Sequence, residues 1–225
     1  MPYITALKPV RYHNDRYNLF IDKKFFATVP AWIVERYQLK HGLDIPASAL
    51  DEIKAESERF RCEETAYRLL TNRPHSTLEL KQKLFQRKFP SALIEEVIEK
   101  CRKREYLDDR EFAEAFVKSR IASKPRGRKL LLAELSKKGV SRRLADEVVE
   151  KALAETDESE LALKLLYKKS SRFNSQKAVD MTDKIYNFLS NRGFTYDAIK
   201  SALDRFVTDS EKEEDGPDEK HRDQI

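Results

Sequence analysis

Asp108 and Asp109 are the residues whose type and spacing come closest to chemistry in this chain. Adjacent carboxylates can hold a divalent cation or divide acid and base work between them. The surrounding run, Leu107-Asp108-Asp109-Arg110-Glu111-Phe112, offers a simpler role. Asp108 is placed as an N-cap with Glu111 three residues on, and acids in a first helical turn favour the helix dipole. A nuclease reading would have only this pair behind it. His13, His41, His75 and His221 fall in different segments without ligand spacing, and Cys62 and Cys101 stand alone. Those thiols read as reduced residues of a cytoplasmic protein. No phosphate-cradling glycine loop and no nucleophile elbow occurs. The sequence therefore points to a binding protein, not an enzyme, with no cofactor and no metal.

The charge pattern says what it would bind. From Ser119 to Arg143 the chain carries nine cations (Arg120, Lys124, Arg126, Arg128, Lys129, Lys137, Lys138, Arg142, Arg143) against one acid, Glu134. That excess is larger than solubility requires and indicates a polyanionic or acidic partner. The nearby aromatics, Phe112 and Phe116, belong to an apolar helical stripe, so base stacking is not indicated.

The elements that must position these cations are helices arranged as repeats. Leu84, Leu135 and Leu189 head three versions of one pattern, spaced 51 and 54 residues apart. Five residues on stand Phe89, Val140 and Phe194, then the helix starters Pro90, Ser141 and Thr195. Apolar pairs return at Val97-Ile98, Val148-Val149 and Ala202-Leu203, and an upstream helix is marked by Ala66, Ala113 and Ala162. Ser76-Thr77-Leu78-Glu79 is a capping-box sequence, and Asn174 or Ser175 would cap the middle helix of the third repeat. Each repeat is thus three helices that bury their apolar faces by stacking.

Before the repeats, Tyr3–Leu7, Tyr17–Ile21 and Phe25–Val29 read as a small antiparallel sheet, with Ala31–Lys40 as its covering helix. Ser48 to Asn72 is helical, either as one long helix or as two broken near Arg61, its charged first half a connector or exposed helix. Past Val207 the chain turns acidic and loses its apolar period, which reads as disorder. The fold class expected is mainly α: three tandem three-helix repeats in an elongated, slightly curved array, preceded by a small N-terminal antiparallel β-sheet with a covering helix. The divisions are 1–45 for the extension, 46–62 for the connector, 63–106, 107–155 and 156–207 for the repeats, and 208–225 for the tail. With 225 residues, five glycines and a net charge of +5, the composition suits a helical protein with ample chain for a core. No membrane span or signal peptide is read, and no exposed heptad seam argues for a dimer, so a monomer is expected.

Arg73-Pro74-x-Ser76-x-x-Glu79-Leu80-x-x-Lys83-Leu84, Tyr106-Leu107-Asp108-Asp109-x-x-Phe112-Ala113, Arg126-Gly127 and Leu135-x-x-Lys138-Gly139 resemble the signature segments of the RecX family of bacterial recombination regulators. The likeness covers roughly residues 60 to 207 and is looser in the third repeat. The N-terminal strands resemble an extension found in longer members, and the acidic tail departs from the pattern. The resemblance implies a non-enzymatic modulator of the RecA recombinase. Such a protein lodges in the groove of the RecA–DNA filament and usually inhibits ATPase, strand-exchange and co-protease activity in DNA repair and the SOS response. Arg120, Arg126, Arg128, Lys129, Lys137 and Lys138 are the expected contacts, with Arg73 as a weaker one, facing RecA, DNA phosphates or both. Glu79, Leu80, Leu84, Asp108, Phe112 and Gly139 match the motifs but read as fold residues. The alternative is a sequence-tolerant DNA-binding protein acting without RecA. Arg142 and Arg143 are followed by Asp146, Glu147 and Glu150, which disfavours insertion of that helix into a groove.

Overall fold

Alternating apolar residues near the N-terminus form an antiparallel meander of β1 (Ile4–Val10), β2 (His13–Ile21) and β3 (Lys24–Pro30), in the order β1-β2-β3. The structure, a computed structural model, describes residues 2–169 and 178–214. Ile4 pairs with Ile21 and Leu19 with Ala27, and the period of two carries Ile4, Leu19, Ile21 and Val29 into one core. The covering helix α1 (Ala31–Arg36) stops short of the expected Lys40. Gln38 takes a left-handed φ of 48° and the Leu39 N–H returns to the Val34 carbonyl at 2.9 Å, which turns Leu39 into the core.

One unbroken helix, α2 (Ala47–Asn72), follows. Its first half is not an exposed connector. Leu50 and Ile53 bury with Ile33, Leu39 and Ile45 against the sheet, and Cys62 and Ala66 belong to the next core. Two apolar residues three apart suffice to cover so small a sheet, which is why the stretch looked too charged to pack.

The second half of α2 joins α3 (Thr77–Gln86) and α4 (Ser91–Lys103) as the first three-helix repeat. The second repeat is α5 (Asp109–Ser123), α6 (Arg128–Lys137) and α7 (Arg142–Thr156), and the third is α8 (Glu158–Tyr167), α9 (Ala178–Ser190) and α10 (Tyr196–Glu214). The chain divides into two compact units at Leu107 and Asp108, so the sheet shares a unit with the first repeat and the second unit holds the other two. Ser76 caps α3 by accepting from the Glu79 N–H at 3.1 Å, while Asp108 caps α5 through Arg110 N at 2.7 Å. Asn174 and Ser175 lie outside the described residues. The last helix does not end at Val207 but runs to Glu214. Its extra turns are tied to α8 where the Tyr167 hydroxyl meets the Asp209 carboxylate.

The repeat leucines Leu84, Leu135 and Leu189 are fully buried. After each, the chain turns through a left-handed residue, Lys88, Gly139 or Gly193, at φ of 64°, 79° and 82°. The N–H of Phe89, Val140 or Phe194 then bonds back to its leucine carbonyl, the Schellman arrangement that satisfies a helix end. Lys88 is the one side chain of the three held in a region that disfavours Cβ. Lys88→Gly is therefore expected to stabilise the protein by about 0.5–1 kcal/mol, read as a higher urea midpoint at unchanged slope.

Candidate functional site

The structure sorts the nine cations by partner. Arg120 Nε donates to Glu134 Oε2 at 3.0 Å and Arg126 Nη1 contacts Glu134 Oε1. Arg128 and Arg142 converge on Asp146 at 3.4 and 2.6 Å, and Arg143 reaches Glu147 at 3.9 Å. Arg110 also binds Glu147, at 2.6 Å, and its hydrogen bond holds that carboxyl below the usual range. Three cations of the run that ends at Arg143 are thus met by acids on α7, and two more by Glu134 within the run. Surface pairs of this kind contribute little to stability, but they do consume the charge. Lys124, Lys129 and Lys137 are exposed and carry no ion pair among the described residues.

Lys129, Ala133, Ser136 and Lys137 share the solvent face of α6, opposite the buried Leu131, Leu132 and Leu135. The repeat register identifies the same face on the other middle helices. On α3 it is Leu78, Gln82, Phe85 and Gln86, and on α9 it is Asp183, Asn187, Ser190 and Asn191, all exposed. One face is apolar, one basic, one acidic and polar. The positive charge of α6 is therefore a property of the second repeat and not of the repeat pattern.

A rigid joint fixes the loop before α6. Gly127 N donates to the Arg192 carbonyl at 3.0 Å and Lys129 N to the Gly193 carbonyl at 2.9 Å. A Cβ at Gly127 would lie 2.2 Å from Phe194 Cα, and one at Gly193 would lie 2.3 Å from Leu130 N, so the two backbones touch where only glycine fits. Glu158, the first residue of α8, closes the joint. Its Oε1 accepts from Arg128 N at 2.8 Å and Thr195 N at 3.3 Å, and its Oε2 accepts from the Thr195 hydroxyl at 2.7 Å. One carboxylate thus serves the N-termini of α6 and α10 together.

Beside this joint lies an open concavity of about 480 Å³ lined by Arg126, Leu130, Glu134, Phe188, Asn191 and Arg192. Arg192 stacks over Phe188 at 4.5 Å and has no ion pair among the described residues. Burial, with the Arg120 and Arg192 guanidiniums nearby, pushes Arg126 below its ordinary value, although it remains charged. Arg120 and Arg126 share the Glu134 carboxylate, and Arg192 adds a third guanidinium to the same neighbourhood. Arg192, Asn191 and Glu158 were not among the expected site residues. A signal for Arg192 exists in the repeat register, where the third residue after each heading leucine is basic: Arg87, Lys138, Arg192.

Arg73 belongs to the other unit and is committed locally, to Glu79 Oε2 at 3.0 Å and the Pro74 carbonyl at 2.7 Å. Lys138, at the end of α6, is partly buried. Burial pushes the Cys62 thiol up to about 12 and raises Cys101 as well, which leaves neither as a thiolate at neutral pH. Among the described residues no group of three or more His, Cys, Asp or Glu gathers as a metal site, and no helix is long and apolar enough to cross a membrane.

Comparison with known proteins follows this geometry. A model described as RecX, first three-helix domain, matches residues 62–101, and RecX, second three-helix domain, matches residues 108–149. Regulatory protein RecX of Listeria monocytogenes serovar 1/2a is 29% identical over 218 residues, covering 96% of this chain and 78% of that protein. Regulatory protein RecX of Bacillus subtilis strain 168 is 27% identical over 216 residues, covering 95% and 80%. A crystal structure of regulatory protein RecX matches with a TM-score of 0.66 at 20% identity, over 93% of this chain and 100% of the other. RecX from Lactobacillus salivarius matches at 0.61 and 22% identity, over 67% and 97%. These two structures share the fold.

Proposed function

The chain belongs to the RecX family of regulatory proteins, and from that premise we propose that it regulates the RecA recombinase by binding the RecA–DNA filament. The proposed effect is inhibition of ATP hydrolysis, strand exchange and co-protease activity, exerted in the cytoplasm without catalysis by the protein itself. The observation that carries the contact assignment is the basic face of α6, where Lys129 and Lys137 have no counter-ion among the described residues while the equivalent faces of α3 and α9 carry no cation among these positions. Lys129, Lys137 and the adjoining Lys138 are the primary contacts in this reading. Arg120 and Arg126 contribute through the neighbouring concavity. Arg128, bound to Asp146, and Arg73, bound to Glu79, hold their own helices first and make contacts second.

The test is RecA ATP hydrolysis on single-stranded DNA with substoichiometric amounts of this protein. The wild type is expected to slow hydrolysis. A Lys129→Glu/Lys137→Glu variant, altered only at exposed positions, is expected to need about 10-fold more protein for the same effect, since a factor of ten is 1.4 kcal/mol of contact free energy. Equal potency of the two proteins would remove α6 from the interface. No effect of either on RecA, together with binding to bare DNA, would install the alternative of a DNA-binding protein acting alone.

A further inference from the structure

We propose that the concavity between α6 and the turn after α9 is a phosphodiester-binding pocket, through which the protein grips a single DNA strand directly, and that Glu134 is its resident competitor. The inference rests on the regulatory reading above and names the ligand of its basic region. Four observations carry it. Arg126 and Arg192 line the same concavity, and Arg120 reaches it through Glu134. Glu134 is the one carboxylate in that lining, and it is already ion-paired to Arg120 and Arg126, so the three guanidiniums leave a net positive charge. The Arg192 guanidinium carbon lies 4.5 Å from the Phe188 ring centroid, with its charge unpaired among the described residues. The backbone bonds from Gly127 to Arg192 and from Lys129 to Gly193 fix both cationic walls before any ligand arrives.

Pre-positioned guanidiniums suit the planar, two-pronged hydrogen bonding of a phosphate group. A carboxylate from a protein partner has the same chemistry at one point. The strand is favoured because Lys124, Lys129 and Lys137, unpaired among the described residues, continue the charge on the same segment, and spaced point charges match a chain of phosphates better than a single acid. Glu134 occupies the place a phosphate oxygen would take. A strand entering the pocket must draw Arg126 away from it, so the carboxylate weakens binding and sets a threshold that incidental anions do not pass.

The experiment is fluorescence anisotropy of a labelled oligothymidylate with the full chain, over a salt series. Arg192→Gln is expected to weaken binding about 10-fold and to lower the slope of log affinity against log salt by about 0.7, one single-strand phosphate contact. Arg192→Glu should weaken it further. Arg143→Glu, an equal charge change at a side chain outside the pocket, should weaken it by no more than about 3-fold by the general field alone. Glu134→Gln should tighten binding several-fold, a sign that simple loss of structure does not produce; thermal melts of each variant check the fold. Arg192 variants that match Arg143→Glu, or a Glu134→Gln variant that binds no tighter, would overturn the pocket. If Arg192→Gln abolishes the effect on RecA while oligothymidylate binding is untouched, the pocket takes an acidic protein side chain, and the DNA assignment fails while the regulatory reading stands. If oligothymidylate binding follows the predicted order but RecA hydrolysis never changes, the pocket holds and the regulatory reading falls.

Discussion

Gly127→Ala should cost about 3 kcal/mol of stability, because the added methyl group has no space to occupy. The backbone at Gly127 has a φ of −77°, which every residue adopts freely, so conformational preference is not the cause. The cause is space. The new Cβ would sit 2.2 Å from both Phe194 Cα and Phe194 N and 2.4 Å from Gly193 C. These are backbone atoms, unable to swing aside as a side-chain tip would. Accommodation requires the loop before α6 to lift from the turn before α10, and that motion breaks the Gly127–Arg192 and Lys129–Gly193 hydrogen bonds together. Gly42→Ala is the control, because it is left-handed at φ 77° with nothing within 4 Å of an added Cβ. It should cost about 1 kcal/mol, from backbone conformation alone. Urea unfolding of the two variants separates the cases. A Gly127→Ala loss no larger than that of Gly42→Ala would mean the two backbones do not meet as described.

How much of this was legible beforehand follows from the range over which each signal acts. The repeat was readable because its determinants are local. Leu84, Leu135 and Leu189 keep their distance from the next apolar pair, and the left-handed turn that follows is announced by glycine in two cases of three. Lys88 is the exception that hid the first turn. The N-terminal strands were readable from alternation, but the helix that covers them was only half found. Leu50 and Ile53 are too few apolar residues for a strong periodic signal, and what makes them core is a sheet some thirty residues upstream in the chain. The end of α10 was misplaced for a related reason. An acidic composition predicts disorder only for a segment with nothing to hold, and Asp209 has Tyr167.

The basic run is legible in the sequence, whereas the partners of its side chains in space are not. Counting charge along a window treats residues near in sequence as neighbours, yet on helices the neutralising acids come from one turn later or from another element. Asp146 and Glu147 fell just beyond the counted window and engage Arg128, Arg142, Arg143 and Arg110. Arg192 joins Arg126 from a position far along the chain, brought there by backbone hydrogen bonds that leave no mark on side-chain pattern. In the sequence, Arg126-Gly127 stands as one motif, with Arg126 an expected contact. In the structure the glycine serves the joint and the arginine serves the concavity, two roles that a two-residue motif does not separate.

Glu158→Ala should have an effect of similar size, at about 2–4 kcal/mol, although the residue is an ordinary acid at a helix start by sequence. Removing its side chain deprives Arg128 N, Thr195 N and the Thr195 hydroxyl of their shared acceptor at a partly buried position. Two helix N-termini lose their anion in one step, which distinguishes this from the loss of an ordinary cap, worth about 1 kcal/mol. Glu158→Gln keeps the shape and one acceptor oxygen and should cost roughly half as much. The joint interpretation adds a sharper expectation. Gly127→Ala already pulls the start of α6 away from the start of α10, so little of the Glu158 contribution remains to be lost in the double variant. The two losses should fall short of adding by about 1 kcal/mol or more, whereas sites acting independently add to within about 0.5 kcal/mol. Additive losses would show that the glycine contact and the carboxylate bridge are separate devices. Sub-additive losses would make them one device, and loosening it from either side should then weaken oligothymidylate binding at Arg126 and Arg192 without altering either arginine.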